Sequence, residues 1–258
     1  MTALVTGGAK RLGRAMALAL AEAGHDVAVH YAGSAAEAED TANAIRALGR
    51  RAVTLQADLL DEDATQSLLP RAVEALGQPV TVLVNNASVF EYDNIQSMSR
   101  TSWDRHMESN LRAPVVLTQA LAAQMPPAEA DENGEPQARG LVVNMVDQRV
   151  QKLTPEFMSY TIAKMGLWAF TRTAAQALAP HVRVNAIGPG PTMIGARQSQ
   201  DHFARQRKGT VLGRGADAEG IVQALNYFLT ARAVTGQLIC VDGGQHLAWQ
   251  TPDILGVE

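Results

Sequence analysis

The chain has a single cysteine, Cys240, in 258 residues. This excludes an internal disulfide and a thiolate metal cluster, and it fits a reducing cytoplasm. Within the apolar run Gln237-Leu238-Ile239-Cys240-Val241 the thiol reads as a small core side chain. No apolar run approaches 18 residues, and Met1-Thr2-Ala3-Leu4-Val5-Thr6 enters a strand with no basic and then apolar leader, so neither membrane insertion nor secretion is expected. An excess of positive charge is also lacking. With a net charge of −4 and dispersed Lys and Arg, the chain carries no footprint for nucleic acid. No metal is expected. The 47% hydrophobic content is enough for a substantial core, and no change of composition divides residues 1–258 into two domains.

Seven apolar strands are expected, near 3–6, 26–31, 51–56, 80–84, 140–146, 182–187 and 237–241. Helical patterns separate them, over 14–23, 34–48, 61–76, 101–124, 155–178 and 216–230. Strand and helix in alternation predict α/β architecture, a single doubly wound parallel sheet with helices on both faces. The Pro-, Glu- and Ala-rich stretch 126–137 reads as a surface loop. Residues 189–215, after a strand's carboxyl end and with little periodicity, read as a substrate loop. The tail 245–258 has no role legible in its residues.

The stretch 141–164 organises the rest. Leu141 to Val146 is an apolar run suited to a central strand, which places Asp147 at its carboxyl end, where open α/β sheets bind ligands. In Thr154-Pro155-Glu156, the threonine is a candidate cap, the proline fits the first helical position and the glutamate suits the dipole. Tyr160 and Lys164, four apart, then share one helix face. An ammonium beside a phenol is expected to lower the phenol pKa from about 10 and make a proton donor for a carbonyl, imine or alcohol. A pair at this spacing also arises by chance, so its surroundings must carry the reading.

Those surroundings begin with Gly7-Gly8-Ala9-Lys10-Arg11-Leu12-Gly13, set between strand and helix. Glycines there let backbone approach a pyrophosphate, and the helix start attracts its charge. The second strand ends His30-Tyr31-Ala32-Gly33-Ser34 with no carboxylate to bind a ribose diol, while Lys10 and Arg11 can meet a 2′-phosphate, so NADP(H) is the expected cofactor.

With Asn85-Asn86-Ala87-Ser88, Asn110 and Gly188-Pro189-Gly190 added in this order, the chain from residue 3 to about 244 resembles the short-chain dehydrogenase/reductase family. The resemblance implies that Asn86 and Ala87 line the adenosine side, that Asp58 bonds the adenine, that Pro189 and Gly190 face the nicotinamide, and that Leu59 and Thr192 also belong to the cofactor site. It further implies that Lys164 bonds the nicotinamide ribose, that Asn110 belongs to a proton relay, and that the protein is a homotetramer. Ala163, Gly166 and Ala169 are small enough for two such helices to approach each other.

Two departures from the family pattern narrow the resemblance. Asp147 stands where the usual serine lies 13 residues before the tyrosine, and Arg11 replaces the middle glycine. Together with Ser88 and Phe90 they resemble the pteridine reductase branch. This implies that Phe90 stacks a pterin, that Arg11 and Ser88 address it, and that Asp147 works with Tyr160 to deliver a proton. Reduction of another carbonyl, such as a 3-oxoacyl thioester or a sugar, and non-catalytic dinucleotide binding are the competing readings.

Overall fold

The computed structural model describes residues 1–194 and 199–249. In chain order it runs β1 Thr2–Val5, α1 Arg11–Glu22, β2 Asp26–Tyr31, α2 Ala35–Ala47, β3 Ala52–Gln56, α3 Glu62–Leu76 and β4 Val82–Asn85. There follow α4 Arg100–Met107, α5 Ala113–Gln124, the short strands β5 Glu129–Ala130 and β6 Pro136–Gln137, β7 Gly140–Met145 and α6 Met158–Leu178. The described chain ends with β8 Val182–Pro189, α7 Gln200–Lys208, α8 Ala218–Thr230 and β9 Leu238–Val241.

Seven parallel strands form one sheet in the order β3-β2-β1-β4-β7-β8-β9. Successive residues of a strand point to opposite faces, so β1 sends Ala3 and Val5 to one side and Leu4 to the other. The first side packs against Met16 and Leu20 of α1 and Leu225 and Phe228 of α8; the second packs against Leu68 of α3 and Leu117 and Leu121 of α5. Both faces are covered, which is why the strands read as nearly continuous apolar runs. The chain winds outward from β1 to β3 and then restarts at β4 on the other side of β1. That reversal opens a crevice at the strands' carboxyl ends.

Several sequence expectations are corrected. Helix α1 starts at Arg11 instead of 14. The helix expected over 101–124 is broken by a wider π turn, Glu108–Arg112, which contains Asn110. The loop 126–137 carries a two-stranded hairpin, β5 with β6. Within 189–215 lies α7, ended on its N-side by Ser199, whose side chain accepts from His202 N–H; residues 195–198 of that loop and 250–258 of the tail lie outside the described residues. Cys240 is half-buried, with burial pushing its thiol up to about 11.

The start of α6 differs most. Thr154 caps nothing; its hydroxyl accepts from Arg149 Nη1 at 2.5 Å. Instead Asp93, 66 residues away, accepts Ser159 N–H at 3.1 Å on its carboxylate and Met158 N–H at 3.3 Å on its carbonyl. The helix therefore begins beyond Phe157, which is held at φ 56°. Ala163 is buried within the chain, and a Cβ on Gly166 would stand 2.8 Å from Leu111 Cδ2. Of the three small residues, Ala163 is therefore taken up by packing within the chain, whereas Gly166 is half-buried against Leu111 and Ala169 is exposed.

Candidate active site

A cleft of about 1060 Å³ lies over the carboxyl ends of β1 and β4. Its floor is the Gly-rich turn. Asn86 Nδ2 donates to Thr6 O at 2.9 Å and Gly7 O at 3.1 Å, while the Thr6 hydroxyl accepts the amides of Asn86 and Ala87. Helix α1 comes so close that a Cβ on Gly13 would stand 2.0 Å from Gly7 O, and only glycine allows that approach. His30 braces the turn from below: its Nδ1 accepts Gly7 N–H at 3.0 Å and its Nε2 donates to Ala57 O at 3.1 Å. Burial pushes its pKa down to about 4, so the ring stays neutral.

Arg11 takes φ 56°, the left-handed region that favours glycine, at a cost of about 1–3 kcal/mol. Its guanidinium crosses the mouth and donates to Ile194 O at 2.8 Å and Met193 O at 3.2 Å. Lys10 pairs with Glu37 at 3.7 Å, so a carboxylate does stand near this corner, on α2 rather than at the end of β2. Both side chains are exposed, and the pair is weak. Tyr31, Ser34, Asp58, Leu59 and Leu12 line this end of the cleft, and Ser88, Phe90, Asp147, Pro189, Gly190 and Thr192 the other.

The expected proton-handling residues meet. Tyr160 Oη donates to Asp147 Oδ2 at 3.0 Å, and Asp147 Oδ1 accepts Arg149 N–H at 2.8 Å. Lys164 Nζ donates to Met145 O at 2.7 Å and lies 5.7 Å from the centre of the Tyr160 ring. The electrostatics correct the expected lowering of the phenol pKa. Burial first, then the Asp147 charge and hydrogen bond, push the phenol well above its ordinary value. Burial also raises Asp147, against the hydrogen bond from Arg149 N–H, and lowers Lys164 to about 8, against the Asp147 charge. Tyr160 therefore holds its proton until something takes it. Asn110 is fully buried, and its amide accepts Val89 N–H and donates to Val89 O, both at 2.8 Å, so it pins the strand-following loop that carries Ser88 and Phe90.

Phe157, Gln148 and Arg149 escaped the sequence reading, and all three line the cleft. Phe157 stacks on Phe90 at 4.4 Å between centroids, and Phe90 meets the Tyr160 ring edge-on at 4.7 Å. Gln148 Oε1 is buried without a hydrogen-bond partner; a bound molecule's N–H group would satisfy it. Only the sequence adjacency of Gln148 and Arg149 to Asp147 could have signalled them. Among the described residues no cluster of His, Cys, Asp or Glu could hold a metal ion, and no helix is long and apolar enough to cross a membrane.

The short chain dehydrogenase family model matches residues 1–204. The chain is a short-chain dehydrogenase. Among solved structures this dehydrogenase resembles FolM alternative dihydrofolate reductase 1 from Brucella suis, in complex with NADP: TM-score 0.90, 44% identity, 98% of each chain covered. Among curated relatives, the 3-oxoacyl-[acyl-carrier-protein] reductase FabG of Staphylococcus epidermidis is 31% identical over 95% of this chain and 99% of its own. The L-rhamnose 1-dehydrogenase of a Sphingomonas species is also 31% identical, over 96% and 97%.

Proposed function

We propose that this short-chain dehydrogenase is an NADPH-dependent reductase of a pterin, a dihydropterin such as dihydrobiopterin or dihydromonapterin, or dihydrofolate. One observation carries the reading: a half-buried carboxyl group, Asp147, accepts a hydrogen bond from the phenol of Tyr160 at 3.0 Å, and by the resemblance it stands where the family usually has a serine. The 44% identity to a FolM structure in complex with NADP supports it.

The cradle fits a dinucleotide. Gly7 and Gly13 leave no room for side chains, and a Cβ on Gly190 would stand 2.5 Å from Asp242 Cβ. The amides at the start of α1, with Lys10 and Arg11, would hold the phosphates. Asp58, Asn86 and Ala87 would flank the adenosine, and Pro189, Gly190 and Thr192 the nicotinamide. Lys164 uses one of its three N–H donors on Met145 O, which leaves two for a ribose. NADPH held in this cradle would supply hydride for the carbon of a C=N bond. Phe90, backed by Phe157, stacks the flat heterocycle, and Ser88 and Arg11 address its polar edge. Tyr160 gives its proton to the ring nitrogen, and Asp147, kept protonated by burial to higher pH than an ordinary carboxyl group, restores it.

The relation to FabG favours a second reading, reduction of a 3-oxoacyl thioester or another ketone. A panel of pterins, 3-oxoacyl thioesters and ketones with NADPH separates the two. Fast pterin turnover is expected, and rapid ketone reduction with no pterin turnover would refute the proposal. Tyr160→Phe is expected to abolish turnover while NADPH still binds, which also excludes a purely binding role. A homotetramer in the cytoplasm belongs to the same proposal; Ile162 and Met165 stand 40% and 37% exposed on α6, open to a second copy.

A further inference from the structure

Behind the catalytic phenol lies a second polar group that the proposed chemistry does not use. His106, Ser159 and Asp93 are all buried, at 0%, 0% and 1% exposure. His106 Nε2 accepts the Glu91 N–H at 3.1 Å. A backbone amide can only donate, so Nε2 carries no proton and the neutral ring carries it on Nδ1. Nδ1–H then donates to Ser159 Oγ at 2.7 Å, and the hydroxyl passes its own hydrogen to Asp93 Oδ2. Asp93 Oδ1 accepts Ser159 N–H at 3.1 Å. Every hydrogen in the chain runs one way, from the Glu91 amide to the Asp93 carboxylate. Among the described residues Asp93 has no ion pair. The start of the 21-residue helix α6 supplies the compensating positive end.

The chain joins the two halves of the site. The Glu91-Tyr92-Asp93 segment continues the loop that carries Ser88 and Phe90, while Ser159 immediately precedes Tyr160. The imidazole of His106 meets the Tyr160 ring at 5.9 Å and 74° on one side, and Phe90 meets it at 4.7 Å and 70° on another. The Asp93 carbonyl takes Met158 N–H, next to Phe157 in its left-handed conformation, and Phe157 in turn stacks on Phe90.

We infer that Asp93, Ser159 and His106 are positioning residues: a one-way hydrogen-bond chain that fixes the Tyr160 ring relative to the aromatic wall of Phe90 and Phe157. This rests on Tyr160 as the proton donor of the proposed reaction. Direction is what Asp93→Asn destroys. An asparagine can still accept Ser159 N–H on its carbonyl oxygen, but its NH₂ then faces Ser159 Oγ. The hydroxyl must turn its hydrogen towards His106 Nδ1, which moves the ring proton to Nε2, against the Glu91 amide. Two donors face each other, and the imidazole must tilt away from Tyr160.

Three measurements on Asp93→Asn and Ser159→Ala test this. ¹⁵N NMR of His106, which requires no substrate, is expected to show the Nδ1–H tautomer in the native protein and its loss in Asp93→Asn. Turnover is expected to fall roughly 10- to 100-fold in both variants, the scale of a small misplacement of a reacting group. The NADPH Kd is expected to stay within about twofold, since the Gly-rich turn that would hold the phosphates lies on β1 and α1, and Lys164 is held by its own bond to Met145 O, more than a helical turn beyond Ser159. Should Asp93→Asn fail to fold, Ser159→Ala carries the turnover and Kd readouts, because it keeps the carboxylate cap on its own N–H. A native His106 protonated on Nε2, native turnover in the variants, or a loss of NADPH affinity in step with turnover would overturn the inference. Tyr160→Phe separates the two levels: if it turns over normally, the proton-donor reading falls, whereas if it is inactive while both variants are fully active, only the positioning chain falls.

Discussion

Asp147→Asn removes the acid and little else. Asp147 makes two side-chain hydrogen bonds, from Arg149 N–H at 2.8 Å and from Tyr160 Oη at 3.0 Å. An asparagine with its carbonyl oxygen towards Arg149 keeps the first. Towards Tyr160 it presents an NH₂ group that has no proton to transfer. Loss of a positioned acid or base costs about 10²- to 10⁴-fold in rate, and at 1.36 kcal/mol per decade this is about 3–5 kcal/mol on the barrier. Steady-state oxidation of NADPH with a dihydropterin measures it, beside an NADPH titration that should be unchanged. The pH dependence has a definite sign. Burial raises the folded pKa of Asp147 above the ordinary carboxyl value, so pterin reduction should decline as pH rises through that folded pKa and the acid form is lost. The contribution of the group to folding stability has the same direction: complete below the unfolded pKa, and lost as pH rises to the folded one. Both dependences should vanish in the asparagine variant. If Asp147→Asn reduced the pterin within a factor of a few of the native rate, the carboxyl group would have no part in proton delivery.

The other predictions concern the cradle and the lysine. Gly13→Ala puts a Cβ 2.0 Å from Gly7 O, so α1 must move away from the turn; NADPH affinity by fluorescence titration should fall at least about 10-fold, with about 1–3 kcal/mol lost in thermal unfolding, and unchanged affinity would refute the cradle. Lys164, lowered to about 8, should discharge above that pH, so kcat/KM should fall on the alkaline side near pH 8. Between about 8 and the unfolded value near 10.4 the unfolded chain binds the extra proton, so this group makes folding more favourable as pH rises. Lys164→Met should remove both effects.

Much of the fold was legible because its signals are local. Runs such as Leu141 to Val146 specify strands covered on both faces, and Gly7 and Gly13 mark a turn where backbone must approach backbone. The pairing of Asp147 with Tyr160 was implied by the resemblance, and in the fold a strand end and a helix face converge at one edge of the parallel sheet to make it. The sign of the phenol's pKa shift did not follow, because it depends on how much water burial removes, and the sequence spacing of Tyr160 and Lys164 carries no measure of that. The helix start at Met158 was hidden for a related reason. Thr154-Pro155-Glu156 forms a good local signal, but Asp93 arrives from 66 residues away and offers two acceptors to the amides of Met158 and Ser159.

From its sequence alone this chain determines a doubly wound parallel sheet, a Gly-rich turn at its crevice and the kinds of side chain, carboxyl, phenol and ammonium, at positions 147, 160 and 164. These depend on periodicity, on the small size of glycine and on residue chemistry, each of which acts over a few neighbouring positions. Tertiary structure alone decided that Phe157 stands in a left-handed conformation against Phe90, that Asn110 pins Val89, and that His106, Ser159 and Asp93 form a directed chain behind Tyr160. The physical reason is that buried donors and acceptors must find partners wherever the fold brings them, and for these groups the partners come from elements far apart in the chain.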